Sequence, residues 1–161
     1  MRRPAEPIGR TLSRVAKAAS RAFDEALAAA GGSQPEWLVL IALKTRPVRN
    51  QRELAAAVGV QGATLTHHLN AMEAAGLVVR RRDPANRRVH LVEMTEAGEA
   101  RFGRLAAAAV AFDERLRAGL ADDEVAALGA LLGRLAANIA DVADIADVAG
   151  PGVDAPGPGD G

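Results

Sequence analysis

Gln61-Gly62-Ala63-Thr64-Leu65-Thr66-His67-His68-Leu69-Asn70-Ala71-Met72-Glu73-Ala74-Ala75-Gly76 is the stretch on which the fold turns. At about 100° per residue, Leu65, Leu69 and Met72 share one side of a helix, and that side must be core. Ala63, Thr64, Thr66, His67, Asn70, Ala71 and Ala74 point away from it, and His68 sits at the boundary. The outward set is small, polar and almost uncharged. Such side chains let a helix approach a DNA major groove closely and offer hydrogen bonds to base edges. A merely solvated face more often carries Lys and Glu, and an alanine-rich surface helix is the bland alternative.

Upstream, Asn50-Gln51-Arg52-Glu53 has the form of a helix start, with Asn as cap and Glu three residues on. The helix it opens, Gln51–Val58, is short, and Gly59 closes it. Two short helices joined by a tight turn containing Gly, over about 50–75, predict a helix-turn-helix. Downstream, Leu77-Val78-Val79-Arg80-Arg81 is β-prone and Asp83-Pro84-Ala85-Asn86 forms a turn. After Arg87-Arg88, the run Val89-His90-Leu91-Val92-Glu93 alternates apolar and polar. This predicts a hairpin with a basic tip over about 77–93. Arg87 and Arg88 suit insertion into a narrow minor groove, where the potential is most negative. Asp83, across the turn, is expected to pair with one of them and hold the wing. Arg80, Arg81 and Arg82 alternate along the strand, so some should face phosphates; the bland alternative is that one of the hairpin's five arginines merely solvates it or pairs with Glu93.

The chain as a whole is neutral, but the charge is partitioned. Lys44 to Val92 holds nine bases, Arg52 and Arg82 among them, and three acids, a net +6. Ala121 to Gly161 holds Arg134 against eight acids, a net −7. Phosphate binding depends on local charge, so a basic middle with an acidic end fits a footprint on DNA.

Long helices flank this head. Ile8, Leu12, Val15, Ala19, Ala22 and Ala26 mark a helix over 8–29, stopped by Gly31-Gly32. Ser33-Gln34-Pro35-Glu36 resembles a capping box opening a helix through Trp37, Leu40, Ile41 and Leu43, which Arg46-Pro47 stops. Thr95 to Gly98 opens another through Phe102, Leu105, Ala109, Phe112 and Leu116, with Leu120 at its far end. Asp122-Asp123-Glu124 suits the start of a last helix. Its apolar face is Val125, Leu128, Leu131, Leu132, Leu135, Ile139, Val142 and Ile145. Residues 1–7 are expected to be flexible, and 148–161, rich in Gly, Pro and Asp, to be disordered.

The fold class expected is therefore mostly α with a small β-wing, a winged helix-turn-helix head flanked by long helices. The chain has no Cys, which excludes disulfides, thiolate metal sites and thiol redox sensing. Adjacent His67 and His68 diverge by about 100° on a helix, so with His90 they do not make a zinc site. No nucleophile–base pair, carboxylate dyad or phosphate-cradling loop points to an enzyme, and no cofactor is implied. No signal peptide or membrane span is expected, and a cytoplasmic location is the default.

The run from Gln61 to Arg80 resembles the recognition helix and first wing strand of the MarR family. Asp83-Pro-Ala-Asn-Arg-Arg88, followed by Val92-Glu-Met-Thr-Glu-Ala-Gly98, resembles that family's wing and the start of its fifth helix. Leu120-Ala-Asp-Asp-Glu-Val125 and Leu131-Leu-Gly-Arg-Leu-Ala-Ala-Asn138 resemble its sixth. The likeness covers about Ile8 to Ile145 and implies one domain over 8–147. It departs at His67, where Arg is common, at Asn86, where Asp is common, and at Gln61, where a Ser-type cap is common.

By this resemblance Thr64, Thr66 and His67 touch the major groove, and Arg87 and Arg88 belong to the DNA-binding wing. Asn70, Arg82 and Arg52 complete the DNA-binding candidates. The helices 8–29 and 96–147 would form a two-fold interface, placing two heads on double-stranded DNA at a palindromic operator. The implied function is a homodimeric transcriptional regulator, a repressor released by a small-molecule ligand. Many relatives sense small aromatic molecules in a cleft between dimer helices and head. Phe23, Trp37, Phe102 and Phe112 either line such a cleft or pack in the core. An architectural or protein-interaction module without a ligand is the alternative.

Overall fold

The computed structural model describes residues 6–46 and 50–148, with side chains to residue 140. The expectations for Pro47, for Arg49, for residues 1–5 and 149–161, and for the side chains of Val142 and Ile145 lie outside those described. Helices α1 (Ile8–Ala29), α2 (Gln34–Thr45), α3 (Gln51–Val58) and α4 (Gly62–Ala74) precede strands β1 (Val78–Arg82) and β2 (His90–Met94). Helices α5 (Glu96–Leu116) and α6 (Asp122–Val148) follow. The chain divides after Leu116 into two units.

In the first unit the core is drawn from every helix and from β1. Leu27, Val39, Leu40, Leu54, Leu65, Leu69, Met72, Val78 and Leu105 are almost or wholly without exposure. The three α4 residues assigned to the core by periodicity are all among them. Each fully buried side chain of this size contributes about 1.5–3 kcal/mol. The core therefore pins α4 by one stripe and leaves its opposite side outward.

Local chemistry sets the element ends. Asn50 caps α3 by accepting the Glu53 amide at 2.9 Å, and its own amide donates to the Glu53 carboxylate at 3.0 Å. Gly59, at φ +77°, closes the helix in a left-handed conformation open to Gly at little cost. Ser33 likewise accepts the Glu36 amide. The Glu36 carboxylate, however, does not complete a capping box: it pairs with Arg101 of α5 at 2.9 Å. Arg46, the residue before Pro47, is extended at φ −121°, ψ 146°, as the ring of a following proline requires.

The α2–α5 seam adds a Trp37–Phe102 stack at 5.8 Å and a Lys44–Glu99 pair at 2.8 Å. Thr95 joins α4 to α5: its hydroxyl donates to Gly76 O and accepts from the Gly98 amide. A Cβ on Gly98 would overlap the Leu77 carbonyl, so only glycine lets α5 start there. Leu120 does not extend α5. The helix ends at Leu116, and Gly119 at φ +84° turns the chain.

In the second unit α6 begins with Asp122, Asp123 and Glu124 in its first turn, and Glu124 accepts the Ala121 amide at 2.8 Å. Leu128, Leu131, Leu132 and Ile139 are exposed, Ile139 by 63%. Among the described residues no single helix is long and apolar enough to cross a membrane.

Candidate nucleic-acid interface

Strands β1 and β2 pair antiparallel, with Val78 opposite Met94, Arg80 opposite Val92 and Arg82 opposite His90. Alternate residues of a strand face opposite sides. Val78, Arg80 and Arg82 therefore share one face with Met94, Val92 and His90. That face changes character along its length. Val78 is fully buried, with Val92 and Met94 packed on the core. Arg80 comes next, and beyond it Arg82 and His90 line an open cleft. On the other face Arg81 pairs with Glu93 at 3.4 Å, so it is the arginine whose charge is spent within the hairpin.

The cleft lies between the hairpin and the two short helices. One part, of about 630 Å³, is lined by Asn50, Gln51, Arg52, Gly62, Thr66, Arg88 and His90, among others. A second part, of about 520 Å³, shares Gln51, Thr66 and His90 and adds Glu73, Arg80 and Arg82. Arg52, Arg82, Arg87 and Arg88 are exposed, and none of them is in an ion pair among the described residues. Arg88 faces the cleft, whereas Arg87 is not among its lining residues.

The wing tip is held by backbone bonds. Asp83 accepts the Ala85 amide at 2.8 Å, and its own amide donates to Val89 O at 2.9 Å. Asn86 accepts the Arg88 amide at 3.2 Å. Short side-chain oxygens that bond the backbone two residues on are the usual means of fixing such turns. Asp83 makes no ion pair with Arg87 or Arg88 among the described residues, contrary to the pairing expected of it. Its carboxylate closes the turn instead.

On α4, Thr64, His67 and Asn70 are exposed as the helical wheel requires. Thr66 is half-buried and already occupied: its hydroxyl accepts from Gln51 Nε2 at 2.7 Å and donates to Gly62 O at 2.9 Å. Asn70 Oδ1 accepts from Arg80 Nη2 at 2.6 Å. Arg80 also donates Nε and Nη2 to Glu73 Oε2, at 3.1 and 2.6 Å, and its amide to Glu73 Oε1 at 3.2 Å. The guanidinium bonds first, then the amide bond, hold the Glu73 carboxyl below its ordinary value against a smaller opposing desolvation. His67 and His68 stand 5.8 Å apart, and no group of three metal-ligating side chains occurs among the described residues.

Gln51, His90 and the Glu73–Arg80 pair were not singled out from sequence. The strand register was the available signal for His90, since it stands opposite Arg82. The four candidate ligand-cleft aromatics do not converge. Phe23 meets Phe112 at 5.1 Å, while Trp37 stacks on Phe102 in a separate pair. Phe23, Trp37 and Phe102 pack against the core. Phe112 lines a shallow groove of about 350 Å³ between α1 and α5, beside Arg14, Val15, Ala19, Ala22 and Arg115.

Comparison with known proteins places this geometry in context. The model of the MarR family matches residues 33–90. A putative transcriptional regulatory protein for the hcr operon of Thauera aromatica is 31% identical over 129 residues, covering 80% of this chain and 78% of that protein. The structure of the transcriptional repressor CouR bound to a 23-mer DNA duplex is similar at TM-score 0.73 and 31% identity. That match covers 82% of this chain and 94% of that one. CouR from Rhodococcus jostii RHA1 bound to p-coumaroyl-CoA is similar at TM-score 0.68 and 29% identity, over 84% and 96% of the two chains.

Proposed function

The chain belongs to the MarR family of transcriptional regulators, DNA-binding proteins without enzymatic activity, and from that premise we propose that it is a cytoplasmic, homodimeric repressor of a palindromic operator. The observation that carries this reading is the cleft beside α4, where Arg52, Arg82 and Arg88 have no ion-pair partner among the described residues. Unpaired guanidinium groups lose little on meeting phosphate, whereas cations already paired would first have to break those pairs. Thr64 and His67 read base edges in the major groove, Arg87 enters the adjacent minor groove, and Arg52, Arg82 and Arg88 hold the backbone.

The dimer is supported by apolar residues left uncovered. Ile8, Leu12 and Val15 of α1, Val110 and Leu116 of α5, and Leu128, Leu131 and Leu132 of α6 are exposed. A second copy would cover them and set two recognition helices about 34–36 Å apart, one turn of DNA. Release by a small molecule is supported by p-coumaroyl-CoA in CouR. A ligand that favours a head spacing unsuited to DNA shifts the population off the operator.

Gel shift with the DNA upstream of the chain's own gene tests the reading. Salt-sensitive, sequence-specific binding is expected, with log affinity falling linearly against log salt. Absence of such binding below micromolar concentrations would overturn it.

A further inference from the structure

Among the described residues the sheet has two strands, so the outward edge of β1 has no described strand beside it. The ladder bonds of the hairpin run on at Leu77–Thr95 and Asp83–Val89. By the alternation of antiparallel pairing, the Arg80 amide then points away from β2, to the open edge. The Glu73 carboxylate of α4 takes that amide with one oxygen and the Arg80 guanidinium with the other, and Asn70 takes a further guanidinium proton. Asn70 and Glu73 are three residues apart and share one face of α4. Four hydrogen bonds thus run from one arginine of the wing to one face of the recognition helix. The Arg80 side chain is 22% exposed, set where the core ends and the cleft begins.

We infer that Arg80 is a positioning residue: braced on Asn70 and Glu73, it sets the pose of the wing against the recognition helix, and with it where Arg82 and Arg88 meet the DNA backbone and where Arg87 enters the minor groove. The role in DNA rests on the regulator reading above; the brace itself does not. The base of the hairpin is anchored by Leu77 and Val78 in the core, but its outer half, Arg81–Arg82 and His90, is exposed. A two-stranded hairpin has little stability of its own, so its outer half needs an external anchor. Asn70 is thereby a brace acceptor, not a base reader, and Thr66 holds α3 to α4 through Gln51 in the same way. Base reading on α4 narrows to Thr64 and His67.

Hydrogen exchange on the full-length protein without DNA tests the brace. In Arg80→Ala, amides of the hairpin should exchange ~10-fold faster while those of α2 and α4 keep their protection. A uniform loss across the unit, or no change, would overturn the inference, because either means that Arg80 contributes only to general stability. Glu73→Gln, which keeps an acceptor and removes the charge, should give a smaller hairpin-selective change, and an unchanged hairpin there would count against the brace.

On operator DNA, Arg80→Ala should flatten the salt slope by about 1 for each phosphate that the wing no longer neutralises. Arg88→Ala should then cost little further in the Arg80→Ala background, and equal cost in both backgrounds would overturn the positioning role. If the wild-type protein binds no DNA, the regulator reading fails while the exchange experiment still decides the brace.

Discussion

Two side chains on one turn of α4 illustrate how a helical wheel misleads at the scale of the residue. Thr66 and His67 are adjacent and both fall outside the core stripe, yet only His67 presents an uncommitted polar group beyond its neighbour His68. On the regulator reading, His67→Ala should change preference at one operator position by about 1–3 kcal/mol. Binding to a panel of single-position operator variants checks this, and uniform weakening over the panel would remove His67 from base reading. Gly98 carries a different constraint. Gly98→Ala puts a methyl group into the Leu77 carbonyl and against Met94. Overpacking of this kind costs about 1–3 kcal/mol, read as a lower denaturant midpoint with little change in slope.

The wing is the element in which charge has been sorted by position. Arg81 is spent on Glu93, Arg80 is spent on α4, and Arg82, Arg87 and Arg88 have no ion-pair partner among the described residues. Replacing Arg87 or Arg88 by Ala should weaken binding across all sequences and flatten the salt slope by about 1 for each phosphate left without its arginine. Unchanged salt dependence in both variants would mean that the wing does not touch DNA. The brace also has a pH dependence of definite sign. Glu73 is held below the ordinary glutamate value by Arg80, so its contribution is complete above that ordinary value. It is lost as pH falls through the lower value of the folded state. Hairpin amides should lose protection selectively in that acidic window, and the Glu73→Gln variant should lack the transition.

At the scale of the whole molecule, the exposed face of α6 is the feature that a lone chain leaves unexplained. On the dimer reading, replacing Leu128 and Leu131 together by Lys should lower the sedimentation mass from dimer to monomer, with helicity kept and operator affinity lost. Each leucine contributes about 1.5–3 kcal/mol when buried, which is enough for two per copy to dissolve a moderate interface. An unchanged mass would place the interface elsewhere.

Whatever local rules govern was legible in the residues alone. Period, glycine position and capping residues placed the elements over 8–29 and 50–94, because each is a property of a few consecutive residues. The core stripe Leu65, Leu69 and Met72 was equally legible, since a helix offers only one apolar face to bury. How polar groups pair across elements was settled by tertiary packing. Glu36 left its own helix start for Arg101, Asp83 took a backbone amide and not an arginine, and Asn70 and Thr66 turned to Arg80 and Gln51. The stretch Gln61 to Gly76 shows why: its period says which residues are outside, but several partners lie within reach of each outward side chain. Only the packed positions of α3 and β1 select among them.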